Sequence, residues 1–172
     1  MHNRLAVAYV DTPLGEIGLA AGEHGLITIS LGKRLDSTLP ALLRGRHDDG
    51  RGKHDPSRLL EQACAEIVEY MLSAREKFET PLDLSSGTEF QRTIWRRLRK
   101  VKYGHATTYS ELAEAVGRPG ASRAVGNAVG ANPLPIIIPC HRVLAAHHKL
   151  GGFSGGLSRK RKLLKLEGIN WK

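Results

Sequence analysis

This sequence has few cysteines, no long apolar run and no signal-peptide pattern at its N-terminus, and each of these features argues against a class of protein. Two cysteines, Cys64 and Cys140, are too few for a disulfide framework or a cysteine-rich zinc site. No apolar run approaches the roughly 18 residues that cross a bilayer, and the N-terminal residues lack a signal-peptide pattern. We therefore expect a reduced, cytoplasmic protein that does not enter a membrane.

Acidic residues are scarce in the second half of the chain. The 172 residues carry 26 Lys and Arg against 17 Asp and Glu, a net charge of +9. Residues 1–83 have a net charge of −3, whereas residues 84–172 combine 16 basic with 4 acidic side chains, a net charge of +12. This excess indicates a polyanionic partner such as nucleic acid for the second half. A solvated basic face that serves only solubility would give the same composition.

Charge and periodicity together predict two domains, residues 1–83 and 84–172. The hydrophobic fraction of 41% excludes wholesale disorder, and the length allows two small domains. The first 32 residues contain three apolar or β-branched runs separated by short turns, namely LAVAYVDT, EIGLAAG and LITISLG. This alternation predicts a small antiparallel meander.

The rest of the first domain has one irregular and one helical segment. Residues 33–57 mix charges with glycine and proline and predict a long mobile connection, within which a short helical turn over residues 39–43 is left open. From residue 56 to about residue 77, apolar residues recur at helical spacing, and Cys64 is interpreted as a small buried residue of that helix. Residues 78–87 are the predicted joint between the domains.

The second domain is predicted to be mostly helical, with a two-helix motif at its centre. Its first helix, over residues 88–100, is amphipathic. Thr108 and Glu111 then form a capping box for the second helix, and Ser122 caps a third that ends near Gly130. Glycine and proline separate these last two helices, which is typical of a helix–turn–helix, although any corner between two helices gives similar spacing.

The third of these helices has an unusual composition for a helix that reads DNA. Besides Arg123 and Asn127 it offers little but alanine, valine and glycine, and a glycine in a helix interior costs roughly 1 kcal/mol. A major-groove helix would carry several long polar side chains. Small residues would let this helix enter a widened minor groove, but tight packing between helices explains them equally well.

Residues 132–143, NPLPIIIPCHRV, are the most unusual stretch of the chain. Three prolines and three isoleucines make a stiff apolar approach to a thiol, an imidazole and a guanidinium. Cysteine is nucleophilic as the thiolate, so Cys140 needs a base such as His141 or a positive charge such as Arg142. In an extended segment adjacent side chains point to opposite faces, so a water would have to bridge Cys140 and His141.

Residues 88–172 closely resemble the catalytic domain of the O6-alkylguanine-DNA alkyltransferases, also called methylated-DNA–protein-cysteine methyltransferases. The matching motifs are FQRTIWRRL at 90–98, TTYSELAEAVG at 107–117, SRAVGNAVGANPLPIIIPCHRV at 122–143, GGFSGG at 151–156 and LLKLEG at 163–168. The resemblance implies an α+β protein. Its N-terminal domain would be a small antiparallel-sheet, ribonuclease-H-like domain, and its C-terminal domain would be mostly helical and winged-helix-like with a helix–turn–helix.

The resemblance also implies a reaction. An alkyl group would move from O6 of guanine in double-stranded DNA to Cys140 after the damaged base is flipped, with O4 of thymine left open as a second substrate. Because water does not cleave S-alkylcysteine, each molecule would act once. His141 would serve through water as the base for Cys140, and Glu167 would orient His141. Asn132 would brace the turn between the third helix and the segment of Cys140, while Arg142 would pair with Glu167 or with nearby backbone.

Further residues are implied to hold the substrate and the DNA. The substrate-binding residues would be Tyr109, Arg123, Val143, Phe153 and Ser154. The DNA-binding residues would be Thr88, Gln91, Ser122, Arg123, Ala124, Gly126, Asn127 and Gly130. No cofactor is implied, and no metal is expected because the zinc-bearing relatives use N-terminal Cys and His ligands whereas Cys64 lies in a helix. The protein would be a monomer that binds DNA, with cooperative binding left open.

Several residues also have simpler interpretations, and two other functions compete. Tyr109 would suit a core aromatic, Glu167 a solvated charge at a helix end, and Arg123 a plain phosphate contact. The pair His147–His148 is interpreted as a solvent or phosphate contact rather than a metal site. A DNA-binding regulator would lack the reactive cysteine that is present here, and a cysteine hydrolase would leave the basic half unexplained.

Phe153 departs from the pattern of the family, in which several members carry tyrosine at this position. A tyrosine hydroxyl would donate to guanine O6 as it becomes the leaving oxygen, which is worth roughly 1.5–3 kcal/mol. We therefore expect Phe153→Tyr to leave methyl transfer unchanged or to speed it. A clear slowing in single-turnover assays would contradict this assignment.

Overall fold

The computed structural model describes residues 4–37, 39–44 and 51–172, and it confirms the α+β class. The chain forms two compact units, Met1–Ser86 and Gly87–Lys172. Among the described residues, no helix is long and apolar enough to span a membrane.

The first unit is built on an antiparallel three-stranded sheet. Its strands are β1 (Ala6–Thr12), β2 (Gly15–Gly22) and β3 (Gly25–Leu31), in the order β1-β2-β3. Helix α2 (Pro56–Met71) packs against this sheet. The predicted meander is therefore confirmed, because its alternating runs pair in sequence order and bury most of β2 and β3.

The segment predicted as a long connection contains local structure. A 3-10 turn, Leu35–Ser37, buries Leu35, and helix α1 (Leu39–Leu43) follows it. Of the predicted connection, residues 38 and 45–50 lie outside the described residues. The short helical turn that the sequence left open is thus present.

Helix α2 ends at Met71, so the prediction that it continues to about residue 77 was wrong. Leu72 caps it, and Ser73 adopts a left-handed backbone with a φ of 58°, which stops the helical pattern. The spacing of the apolar residues in the sequence gave no indication of this turn. Cys64 is half-buried rather than buried, since it lies at the margin of the face that packs on the sheet.

The second unit contains the helices and two very short strands. Their bounds are α3 (Glu89–Leu98), β4 (Thr107–Thr108), α4 (Tyr109–Ala115), α5 (Ser122–Gly130), β5 (Val143–Leu144) and α6 (Leu157–Leu166). Strands β4 and β5 pair in parallel. Helices α3, α4 and α5 pack on one another, and the Trp95 indole donates to the carbonyl of Ala128 at 2.8 Å.

Side-chain caps are present at the start of some of these helices and absent at others. The predicted capping box of Thr108 and Glu111 is present at the start of α4. Ser122 does not cap α5, because the cap position is Ala121 and Ser122 is the first helical residue. The Ser122 hydroxyl instead lies 3.2 Å from that of Ser110 in α4, so it joins the two helices.

Candidate active site

The residues before Cys140 form a tight, buried turn that is held by Asn132. The Asn132 amide nitrogen donates to the carbonyl of Ile138 at 2.8 Å, and its oxygen accepts from the backbone N–H of Leu134 at 2.9 Å. Ile136 adopts a φ of 78°, a rare conformation for a β-branched residue. Two side-chain hydrogen bonds and complete burial stabilise this strained turn directly ahead of the thiol.

Cys140 opens a 3-10 turn, Cys140–Arg142, so the expectation of an extended segment was wrong. The turn forms because the N–H of Arg142 bonds to the carbonyl of Pro139 at 3.0 Å. Burial raises the pKa of the Cys140 thiol to about 11, although a hydrogen bond from Asn132 favours the thiolate. The buried thiol is therefore protonated at neutral pH, and a nucleophilic role requires a base.

His141 is the first of two buried side chains that meet Glu167, which lies just beyond α6. The His141 Nε2 atom lies 2.7 Å from one carboxylate oxygen of Glu167, and neither side chain is exposed. The Arg142 guanidinium donates to both oxygens of the same carboxylate, at 2.8 and 2.9 Å. One carboxylate thus accepts from an imidazole and, in bidentate fashion, from a guanidinium.

These contacts decide the protonation states of His141 and Glu167. Burial alone would raise the pKa of Glu167, but the hydrogen bonds from His141 and Arg142 outweigh it and lower that pKa to about 2. Burial lowers the pKa of His141, so its imidazole is neutral at pH 7. An ionised carboxylate can only accept, so Nε2 carries the proton and Nδ1 carries the lone pair. His141 is therefore a neutral base backed by a carboxylate.

Lys160 in α6 was missed by the sequence analysis. Its side chain is wholly buried, and Nζ donates to the carbonyl of Val143 at 2.6 Å and to that of Gly152 at 2.9 Å. Burial lowers its pKa to about 8. The signal was present in the sequence, because Lys160 shares one helical face with the buried residues Leu163 and Leu164.

Helix α5 presents its small and polar residues to solvent. Arg123, Ala124, Asn127 and Gly130 are exposed, whereas the buried side is Val125, Ala128 and Val129. A Cβ atom added at Gly130 would meet nothing within 4 Å, so packing inside the protein does not require glycine there. Tight helix packing therefore does not explain Gly130, and close approach to DNA stays a prediction.

Tyr109 links α5 to the thiol. A Cβ atom added at Gly126 would lie 3.7 Å from the Tyr109 ring, which is ordinary van der Waals contact. Burial raises the pKa of Tyr109, and the negative charge of a Cys140 thiolate would raise it further. Tyr109 is half-buried rather than enclosed in the core, and its ring lies beside Gly126 of α5.

Other predicted contact residues lie at helix starts and in loops. Thr88 and Gln91 are the two partners of the capping box that begins α3, with bonds of 3.1 and 2.9 Å. Phe153 is half-buried, whereas Ser154 is exposed in the same loop. His147 and His148 are exposed and both have positive φ values. Among the described residues, no group of three or more His, Cys, Asp or Glu side chains could hold a metal ion.

The second unit exposes most of its basic side chains. The exposed ones are Arg96, Arg99, Lys100, Lys102, Arg118, Arg123, Lys149, Arg161, Lys162, Lys165 and Lys172. Arg142 and Lys160 are buried exceptions. The surface charge therefore suits a polyanion, while two cations belong to the buried cluster around Cys140.

Known proteins resemble both units. Residues 5–84 match the family model described as 6-O-methylguanine DNA methyltransferase, ribonuclease-like domain, and residues 89–169 match its DNA binding domain. A methylated-DNA–protein-cysteine methyltransferase of Mycolicibacterium paratuberculosis is 39% identical over 158 residues, 92% of this chain and 89% of that protein. One of Methanosarcina acetivorans is 36% identical over 163 residues, 94% and 97% of the two chains. The crystal structure of Mycobacterium tuberculosis OGT in complex with DNA superposes with a TM-score of 0.76 at 35% identity, over 94% and 91% of the chains.

Proposed function

Because the chain belongs to the 6-O-methylguanine DNA methyltransferase family, we propose that it repairs DNA by moving an alkyl group from O6 of guanine to Cys140. The observation that carries this proposal is the placement of the buried thiol directly before His141, whose imidazole is held by Glu167. The reaction class follows from the family, and this geometry supports the roles proposed for the individual residues.

The chemistry begins with removal of the Cys140 proton. His141 is neutral and its Nδ1 atom bears a lone pair, so it can accept that proton through a bridging water. The ionised Glu167 stabilises the imidazolium that results. The thiolate then attacks the alkyl carbon, so that an S–C bond forms while the bond from that carbon to O6 breaks. Guanine leaves with the electron pair of that bond and takes a proton at N1 from water, and the His141 imidazolium returns its proton to water.

The surface of the second unit supports DNA as the partner of this protein. Its surface is basic, and α5 offers Arg123 beside small side chains, which suits insertion of this helix into a widened minor groove. A buried thiol cannot reach a base inside the stack, so the damaged nucleotide must rotate out of the duplex. Arg123 would then fill the gap, while Tyr109 and the carbonyl of Val143 would contact the flipped base. We propose that the protein acts as a monomer.

The test uses duplex DNA that carries a labelled methyl group on guanine O6. We expect label to appear on the protein and to stop at one equivalent, because a thioether does not release the thiol. Tight binding without transfer would show a DNA-binding regulator instead. Repeated turnover of an ester or amide, with no label on the protein, would show a cysteine hydrolase.

A further inference from the structure

The loop between α3 and β4 contacts both members of the buried Arg142–Glu167 pair. The carbonyl of Val101 accepts a hydrogen bond from the Arg142 guanidinium. The backbone N–H of Gly104 donates to the Glu167 carboxylate at 3.2 Å. These contacts span 41 and 63 positions of the sequence, so only the tertiary fold brings them together. We call residues 101–104 the carboxylate loop, and no step of the proposed reaction uses it.

Gly104 adds a backbone donor to the carboxylate. The two oxygens of an ionised carboxylate accept about four hydrogen bonds, and His141 and Arg142 supply three of them. The Gly104 N–H reaches the oxygen that also accepts from Arg142 Nε. Gly104 has a φ of 77°, a conformation that glycine adopts without strain. A Cβ atom added there would lie 3.5 Å from the Glu167 backbone oxygen, an ordinary contact, so conformation rather than space favours glycine.

Tyr103 contacts the backbone next to Glu167 as well as the side chain of Arg142. Its hydroxyl donates to the carbonyl of Leu166, the last residue of α6, at 3.1 Å. The Arg142 guanidinium carbon lies 5.9 Å from the centre of the Tyr103 ring, within the range of a cation–π interaction. The carboxylate loop therefore contacts Glu167, the residue before it and its guanidinium partner.

A carboxylate that is held at several points keeps one orientation toward His141. The His141 Nε2 atom lies 2.7 Å from the nearer Glu167 oxygen, and both side chains are fully buried. Orientation matters for a base, because a displacement of about 1 Å can slow a reaction about 10²-fold. The contacts that fix Glu167 therefore bear on the rate of methyl transfer.

Resting on the proposed function, we propose that the carboxylate loop is a positioning element of methyl transfer, in which Gly104 and Tyr103 fix Glu167 so that His141 stays oriented as the base for Cys140. Neither Gly104 nor Tyr103 touches the reacting atoms. Their effect passes through the carboxylate that the loop holds.

The first experiment compares Gly104→Ala with Gly117→Ala in single-turnover methyl transfer at saturating DNA. Gly117 has a φ of 72°, and among the described residues nothing lies within 4 Å of a Cβ atom added to it. Alanine therefore brings similar backbone strain at both positions but disturbs Glu167 only from position 104. We expect the rate constant to fall about tenfold or more in Gly104→Ala and to keep its wild-type value in Gly117→Ala. The Kd of Gly104→Ala for the same duplex should stay within about twofold of wild type.

Tyr103→Phe is the milder variant and keeps the test informative if Gly104→Ala does not fold. It retains the ring beside Arg142 and removes only the hydroxyl that donates to Leu166. We expect methyl transfer to slow by about three- to tenfold, the effect of one hydrogen bond. Tyr9→Phe, which removes a hydroxyl from the first unit, is its control and should transfer at the wild-type rate.

The NMR resonance of the His141 Nε2 proton separates positioning from general damage to the fold. This buried proton faces Glu167 directly, so its chemical shift should change in Gly104→Ala and Tyr103→Phe but not in Gly117→Ala. Slower transfer with an unchanged His141 resonance would show a merely structural role and overturn the inference, as would wild-type rate constants in both loop variants. Absence of transfer by the wild-type protein would instead refute the proposed function, and the resonance, which needs no substrate, would still test the loop.

Discussion

Cys140→Ala is expected to abolish methyl transfer while the protein still binds duplex DNA. Alanine removes the sulfur that accepts the methyl group, and no other group can replace a nucleophile that is consumed in the reaction. The fold should tolerate the change, because cysteine at this buried position packs as a small apolar residue. Single-turnover transfer from labelled O6-methylguanine DNA, together with binding to the same duplex, measures both effects.

Cys64→Ala is the matched control for this prediction. Cys64 is half-buried in α2, within the first unit, and burial raises the pKa of its thiol. We expect this variant to take up one full equivalent of methyl, and mass spectrometry should place the modification on the peptide that contains Cys140. Methyl transfer that survives in Cys140→Ala, or that is lost in Cys64→Ala, would refute the assignment of the nucleophile.

Glu167→Gln is expected to slow methyl transfer by about 10²- to 10⁴-fold, the range for loss of general-base assistance. The amide cannot stabilise an imidazolium at His141 as a carboxylate does, and it also leaves the buried Arg142 without its counter-charge. Glu76→Gln, an exposed carboxylate of the first unit, is the control and should transfer at the wild-type rate. The rate constants should be measured at saturating DNA and well below the Tm of the variant.

Glu167→Gln should also change how the unfolding free energy of the protein depends on pH in acid. The pKa of Glu167 is about 2 in the folded protein against an ordinary value of 4.5. A lowered folded-state pKa gives stability that is complete above about pH 4.5 and is lost as the pH falls towards 2. This contribution is about 3 kcal/mol at neutral pH. In urea titrations, the difference in unfolding free energy between wild type and Glu167→Gln should therefore narrow below pH 4.5. A difference that stays constant with pH would contradict the buried ion-pair arrangement.

Sequence patterns predicted local structure well wherever the cause is local. The strands of the meander and the capping box at α4 depend on residues at most a few positions apart, and both are present. The predicted end of α2 was too late because apolar periodicity does not show where a left-handed residue such as Ser73 ends a helix. The predicted cap of α5 was wrong because the sequence does not distinguish Ser122 from the adjacent cap position, Ala121. The α+β class and the family were both predicted correctly from motifs.

The roles of the individual site residues remain predictions, but the structure changes how they are connected. Asn132 and Arg142 make the contacts that the family resemblance implied, with the turn and with Glu167. Glu167 is buried rather than a solvated charge at a helix end. Tyr109 is half-buried beside Gly126 rather than a fully buried core aromatic, and its contact with the substrate stays a prediction.

The sequence by itself determined the reactive segment, the basic second half and the helices that surround them, because these follow from composition and from spacings of a few residues. Only the tertiary structure decided which side chains that are distant in sequence are buried together and in contact. Glu167 meets His141 across 26 residues of sequence, and Lys160 reaches Val143 across 17. Burial and such long-range pairs set the pKa values of the thiol, the imidazole and the carboxylate. Those pKa values depend on burial and on contacts between residues that are far apart in sequence, and short-range spacing in the sequence does not determine either.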